Sequence, residues 1–414
     1  MGEEVAKIKC CCADDGAYCE KLLPLWRNKG DAIIVLLDSK DELYDTGPEK
    51  HNIATSEVGE EKEKIIVKIS QEVTLDTFPV FVEIDGLFLD KVICRGDLIL
   101  HSRDDNKVIL KVERDNECHL GKRLWLLWSL RSRGGAYWGL TFSNNGYLGV
   151  ASNCAYIVDP RGEVVSERCP EEGPVRNVSY CCGKFGFAYK SHVLIYDLKE
   201  NEWKEIYTGF VGTRAITMLE DGFLAGFDYL AHFDFHGKKK WKVDIQWVEN
   251  GPVVNEKYVY VPRAYWPREN QGALTILKLS DGSELKTIKF DEIVWNVQIC
   301  GNRLAVGTVH NVHLYDISDL LNPRELWRRN GIATECEVST CHGAWSIAFS
   351  PNCKYVASSD VRDMKIHIFD VETGEQVLEK RFGSYARSVA WWRDRLVVGI
   401  DYKRLHLFKV TGFD

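Results

Sequence analysis

Seven times between residues 155 and 409 the chain passes through an apolar run that mostly closes on an aromatic residue and a charge: AYIVD, VLIYD, LAHFD, LTILK, VHLYD, IHIFD and LHLFK. The closing positions are Asp159, Asp197, Asp234, Lys278, Asp316, Asp370 and Lys409, separated by 38, 37, 44, 38, 54 and 39 residues. Around each phrase the hydrophobic pattern is the same. A strand is followed by a Gly- or Asn-containing turn, a second strand, the phrase, a polar turn such as VETGE or LKENE, and a strand that often carries Trp. Apolar and polar residues alternate with period two, and turn signals recur about every ten residues, which argues antiparallel β-structure.

Four strands in a unit of roughly 40 residues, repeated, have the length of a propeller blade, and the count predicts an all-β ring of seven. The sixth unit, HGAWSIAFSPNCKYVASSDVRDMKIHIFDVETGEQV, resembles the WD-repeat family, with His342, the turn Ala348-Phe349-Ser350-Pro351, and Phe369-Asp370 at the dipeptide position. The other units share its pattern only. Asp370 is expected to accept hydrogen bonds in the tight turn after the third strand, a structural role. Lys278 and Lys409 depart from the motif, so their turns must be held otherwise.

The last unit stops after its third strand, at Val410. A ring leaves no open sheet edge, so a strand from elsewhere must complete blade seven. Residues 123–130, Arg-Leu-Trp-Leu-Leu-Trp-Ser-Leu, immediately precede blade one. Trp125 and Trp128 there mirror Trp203, Trp241 and Trp327 of the outer strands. They are expected to close the ring; the alternative is an interdomain helix.

Charge marks a boundary before this array. Residues 1–118 hold 26 acidic against 16 basic residues, while the rest hold 35 against 37. The reading is an α/β domain over residues 1–116 and the seven-bladed propeller over 117–414. The first domain reads strand (AKIKCCCA), loop, helix (YCEKLLPLWRNKG), strand (AIIVLLDS), and then two antiparallel strands joined at Asp85-Gly86. This order resembles the thioredoxin family over about residues 5–115, with Pro79 at the position of that family's cis-proline and Gly96 after the last strand. The resemblance implies a Cys-x-x-Cys motif at the helix start, but the four positions are Gly16-Ala17-Tyr18-Cys19. Without the first thiol the exchange cycle cannot run there, which points to a degenerate, non-catalytic domain. Cys10, Cys11 and Cys12 leave three readings open: an atypical Cys12–Cys19 pair, a metal site including Cys10, or cysteines packed in a core. Neighbouring strand residues point to opposite faces, which works against a metal site.

Composition narrows the class. The 414 residues are 45% apolar and 28% charged, with a formal net charge of −8, which excludes a strongly basic nucleic-acid-binding protein. No apolar stretch is long enough to span a membrane, and the start MGEEVAK lacks the features of a signal peptide, so a cytoplasmic protein is expected. Few Gln and Met against abundant Glu and Lys suggest heat adaptation. Among the fourteen cysteines, Cys336 and Cys341, in one loop, form the first disulfide candidate, whereas Cys154, Cys181, Cys182 and Cys300 read as small buried hydrophobes. His192, His232, His313, His367 and His406 recur near the repeat phrase at blade period, which reads as a structural position. No phosphate loop, H-E-x-x-H or G-x-S-x-G is present.

Two insertions, Pro262–Gly272 and Asn330–Cys341, fall in loops that open on the same face of a propeller, and insertions clustered on one side of a repeat array mark its binding side. The same face carries the beginnings of the inner strands: Trp138, Arg176, Asn177, Arg214, the segment 247–250, Trp295, Asn296, Trp345 and Arg387. With Arg263, Tyr265, Trp266 and Arg268 of the first insertion, these are the candidate partner-binding residues, rich in the Trp and Arg that dominate interface hot spots. The alternative is that one aromatic per blade packs the channel rim. The expected function is a non-catalytic scaffold for a protein or peptide partner, with no cofactor or metal. The alternative is a thiol-disulfide oxidoreductase using Cys19 with Cys12.

Overall fold

The computed structural model describes residues 121–131, 135–171, 173–209, 212–264, 271–330, 344–361, 363–401 and 404–413, together with the backbone of six strands in the first 120 residues. The chain divides into two units, Leu130–His406, and Met1–Ser129 with Leu407–Asp414.

Six consecutive four-stranded antiparallel sheets follow the chain from Gly139 to Arg381, each strand paired with the next in sequence. The first strands are Gly139–Phe142, Asn177–Cys181, Ala215–Leu219, Val253–Asn255, Val294–Cys300 and Ala344–Phe349. A seventh begins with Ala386–Trp392, Arg395–Ile400 and Arg404–Thr411, and its outer place is taken by Arg123–Arg131. The fold of this part of the chain is a seven-bladed β-propeller. The first strands are innermost: that of blade one lies beside that of blade two, and that of blade seven returns beside that of blade one.

Period-two alternation fills the spaces between blades rather than one central core. Phe185 and Phe187 of blade two pack with Ile157 of blade one, while Ile195 and Ala188 on the other face of blade two pack with Ile216, Phe223 and Phe233 of blade three. Each fully buried Phe contributes about 2–3 kcal/mol relative to exposure. Trp indoles on the outer strands tie neighbours together. Trp203 Nε1 donates to Ser166 Oγ at 2.8 Å, Trp241 to the Leu279 carbonyl at 2.8 Å and Trp327 to the Val371 carbonyl at 2.8 Å.

The aspartates that close the phrases act as turn anchors. Asp159 Oδ1 accepts the backbone N–H of Arg161 and Glu163, Asp234 those of His236 and Lys238, and Asp370 those of Glu372 and Thr373. At Lys278 the acceptor is displaced along the turn: Asp281 takes the Ser283 N–H at 2.9 Å and pairs with Lys278 Nζ at 3.2 Å.

Two of the cysteines expected as packing residues are instead disulfide-bonded. Cys154–Cys169 extends the register of the third and fourth strands of blade one, in which Ala155 faces Arg168. Cys300–Cys353 joins the end of the first strand of blade five to the first turn of blade six. Cys182 is exposed rather than buried, because it sits at φ 53 in the tight turn between the first two strands of blade two, and Cys181 is half-buried.

In the other unit, Glu4–Ala13 pairs antiparallel with Gly16–Leu25 and parallel with Lys107–Asp115. The helix expected from Tyr18 is thus a strand through Leu25. Pro24, which removes a hydrogen-bond donor from a helix interior, lies within it. The register also places the cysteines. Ala13 opposite Gly16 sets Cys10 opposite Cys19 and Cys12 opposite Ala17, so Cys12 is not the cross-strand partner of Cys19. Pro79, Cys336 and Cys341 lie outside the described residues. Within this unit Trp125 Nε1 donates to Thr411 Oγ1 at 2.9 Å, and Thr411 Oγ1 donates to the Gly121 carbonyl at 3.2 Å. No described helix is long and apolar enough to cross a membrane.

Candidate functional site

The first strand of each blade starts at one end of the ring, and antiparallel order brings the loop between the second and third strands to that same end. A single apolar cluster shows this directly. Ala264, Val309 and Val361, which follow second strands, pack with Ile293, Trp295 and Trp345 at first-strand beginnings, and with the half-buried Trp138. Trp295 and Trp345 have ring centroids 4.7 Å apart, and Trp345 and Trp138 are 6.0 Å apart.

Burial divides the candidate residues into two groups. Trp295 is 2% exposed, Trp345 7% and Arg387 8%, so these three build the floor of the site. Arg387 is held by Asp401, whose Oδ2 accepts from Nε at 2.5 Å and whose Oδ1 accepts the Tyr137 N–H at 3.0 Å. Burial raises the Asp401 pKa, and Arg387 opposes the rise. Asn177, also buried, donates from Nδ2 to Asn250 Oδ1 at 3.0 Å, and Asn250 Nδ2 donates to the Trp295 carbonyl at 2.7 Å. This chain of amides fixes blades two and five through the segment leading to blade four. Asn296 is half-buried beside Trp295, and Arg263 is buried with Nε donating to the Gln246 carbonyl at 3.3 Å. Tyr265, Trp266 and Arg268 lie outside the described residues.

Trp138, Arg176, Arg214 and Trp247 form the accessible layer. The Arg176 guanidinium carbon is 4.3 Å from the Trp138 ring centroid, and that of Arg387 is 4.6 Å from the same ring. Arg214 lies 4.2 Å over Phe227, and its Nη1 donates to both carboxylate oxygens of Glu249, at 2.6 and 2.8 Å. Phe227 meets Trp247 edge to face with centroids 5.6 Å apart. Trp247 stands at φ 66 and is 38% exposed, an unfavourable backbone held for an aromatic turned to solvent. Burial lowers the Arg176 pKa, with the charges of Arg214 and Arg387 acting in the same direction.

The repeat histidines sit elsewhere. His232, His313, His367 and His406 are buried on third strands. Burial holds His232 and His367 below the ordinary imidazole value, and His406 at about 3. Their partners are blade residues: His313 Nε2 meets Glu292 Oε1 at 2.9 Å, and His367 Nδ1 meets Gln376 Oε1 at 2.8 Å.

Sequence reasoning placed the segment 247–250 at the mouth but did not separate its roles. Trp247 presents an aromatic surface, Glu249 neutralises Arg214, and Asn250 links two blades. Phe227 and Asp401 were missed. Both lie in connections after second strands, where the sequence carries no repeat signal.

No protein-family model matches the chain, and no curated protein matches it. Among solved structures it is similar to the computationally designed Ika8 protein, with 13% identity over 68% of this chain and 98% of that one, at a TM-score of 0.50. At that identity the likeness concerns the fold alone.

Proposed function

We propose that the protein is a non-catalytic interaction scaffold and that a protein or peptide partner docks on the end of the propeller built from Trp138, Arg176, Arg214 and Trp247. Propellers commonly serve as interaction scaffolds, but they host enzymes too, so the reading rests on the site. The observation that carries it is the convergence of accessible Arg and Trp side chains from several blades on a rigid, hydrogen-bonded floor. Stacked guanidinium and indole groups offer large preorganised contact area, and anchors of this kind dominate binding energies. The acidic first 118 residues would supply a second surface.

The test is to capture a partner on the full chain and then map its site with Trp138→Ala, Arg214→Ala and Trp247→Ala. Loss of an anchor should weaken binding by about 2 kcal/mol or more, near thirtyfold. Unchanged affinity in the triple variant would place the partner elsewhere. Trp295→Ala and Trp345→Ala serve poorly for this purpose, since both rings are buried between blades.

A further inference from the structure

The three arginines at this end of the ring are not equivalent. Arg387 is neutralised by Asp401 and Arg214 by Glu249, each through close hydrogen bonds. Arg176 has neither. Among the described residues it makes no salt bridge or hydrogen bond to a carboxylate: its close side-chain contact is the Trp138 ring at 4.3 Å, and the Glu249 charge, already paired with Arg214, acts on it only at longer range. Among the described residues the cluster therefore holds three guanidinium groups against two paired carboxylates, in a chain whose overall formal charge is −8.

Stacking on an indole uses the face of a guanidinium and leaves its in-plane N–H edge free, while restricting the rotamers that a long side chain would otherwise sample. A fork held in this way is organised for a bidentate carboxylate. We infer that Arg176 on Trp138 is a carboxylate-binding site, and that the segment docking on this face is an acidic one that places a Glu or Asp side chain against the Arg176 fork. This rests on the docking reading above and adds the chemistry of the occupant. The neighbouring charges are mixed, with Arg214 and Arg387 acting in one direction on Arg176 and Glu249 in the other, so the attraction for a carboxylate comes from Arg176 itself, and its partial burial strengthens an ion pair formed there.

The experiment uses the full chain and two fluorescein-labelled hexapeptides, one of Glu and Gly and one with each Glu replaced by Gln, followed by fluorescence anisotropy at low and moderate salt. The Glu peptide should bind, and more weakly at the higher salt, while the Gln peptide should not. Arg176→Gln should weaken binding of the Glu peptide about tenfold or more, and Arg176→Lys, which keeps the charge without the fork, by less. Arg303→Gln, in blade five and paired with Asp316 and Glu372, should change nothing. Equal affinity for the two peptides, or indifference to Arg176→Gln, would overturn the inference. The peptide comparison needs only the wild-type chain, so it decides the matter even if a variant folds poorly. A captured partner that is lost with Trp138→Ala and Trp247→Ala but kept by Arg176→Gln would leave the docking face standing and remove the carboxylate site alone.

Discussion

Glu292, immediately before the inner strand of blade five, makes the stability of that blade depend on pH. Its side chain is 11% exposed. Oε2 accepts from Thr308 Oγ1 at 2.7 Å and the His310 N–H at 3.1 Å, and Oε1 accepts from Asn311 Nδ2 at 2.8 Å and meets His313 Nε2 at 2.9 Å. Burial alone would raise its pKa, but the bonds from His313, Thr308 and Asn311 outweigh it and hold the carboxyl at about 2, against 4.5 ordinarily. Because the folded-state value is depressed, the carboxylate stabilises the fold above pH 4.5, and the gain is lost as pH falls from there towards 2. The difference between the two values corresponds to about 3 kcal/mol. Glu292→Gln keeps the shape but turns an amide NH2 towards donors, so most of that amount should disappear at pH 7. Urea unfolding of wild type and variant between pH 6 and pH 2.5 reads the effect as a gap in stability that is wide at pH 6 and narrows steadily below pH 4.5. A gap of the same size at both ends of the range would refute the reasoning, since the contribution would then not come from the ionised carboxylate. Ile293 and Trp295, one and three residues after Glu292, pack in the apolar cluster of the site, so the variant should also loosen partner binding.

The remaining predictions concern connections between elements. Removing Cys300–Cys353, which spans 53 residues, should cost about 4 kcal/mol on the chain-entropy account, against about 3 for Cys154–Cys169, which spans 15; both effects should vanish under reductant in a denaturation series, and the reverse order would count against the account. Deleting residues 1–116 should leave a folded ring, whereas deleting 1–134 removes Arg123–Arg131 and bares the edge of Arg404–Thr411, so light scattering should report aggregation in the second truncation only. Gly226→Ala would place a Cβ 1.8 Å from the Tyr229 carbonyl oxygen, and the turn that carries Phe227 under Arg214 should open at a cost of about 1–3 kcal/mol, read as a lower melting temperature.

The ring itself was legible because a blade is a local object. Each is four short strands joined by turns of a few residues, so period-two alternation and the recurring Asp positions carry its whole plan within about 40 residues. Even the exceptions were readable in kind: Lys278 announced a turn held differently, and Asp281 is the residue that holds it. Helix and strand were harder to separate at Gly16–Leu25, where two apolar pairs flank a proline and no period is sustained long enough to decide.

What the chain order could not convey is which residues of different blades meet, and what burial makes of them. Trp138, Trp295 and Trp345 look alike as aromatics at the start of an inner strand, yet the ring buries two of them and leaves the first to carry Arg176. Arg176, Arg214 and Arg387 all stand at the start of an inner strand, and only the fold gives two of them a hydrogen-bonded carboxylate, Glu249 and Asp401, and leaves the third stacked on Trp138 without one. Cys300 and Cys353 are 53 residues apart and join only because adjacent blades present their turns to each other. Secondary structure follows from propensity and pattern within a window of sequence, whereas ionic pairing and accessibility depend on distances between windows, and those exist only once the ring has closed.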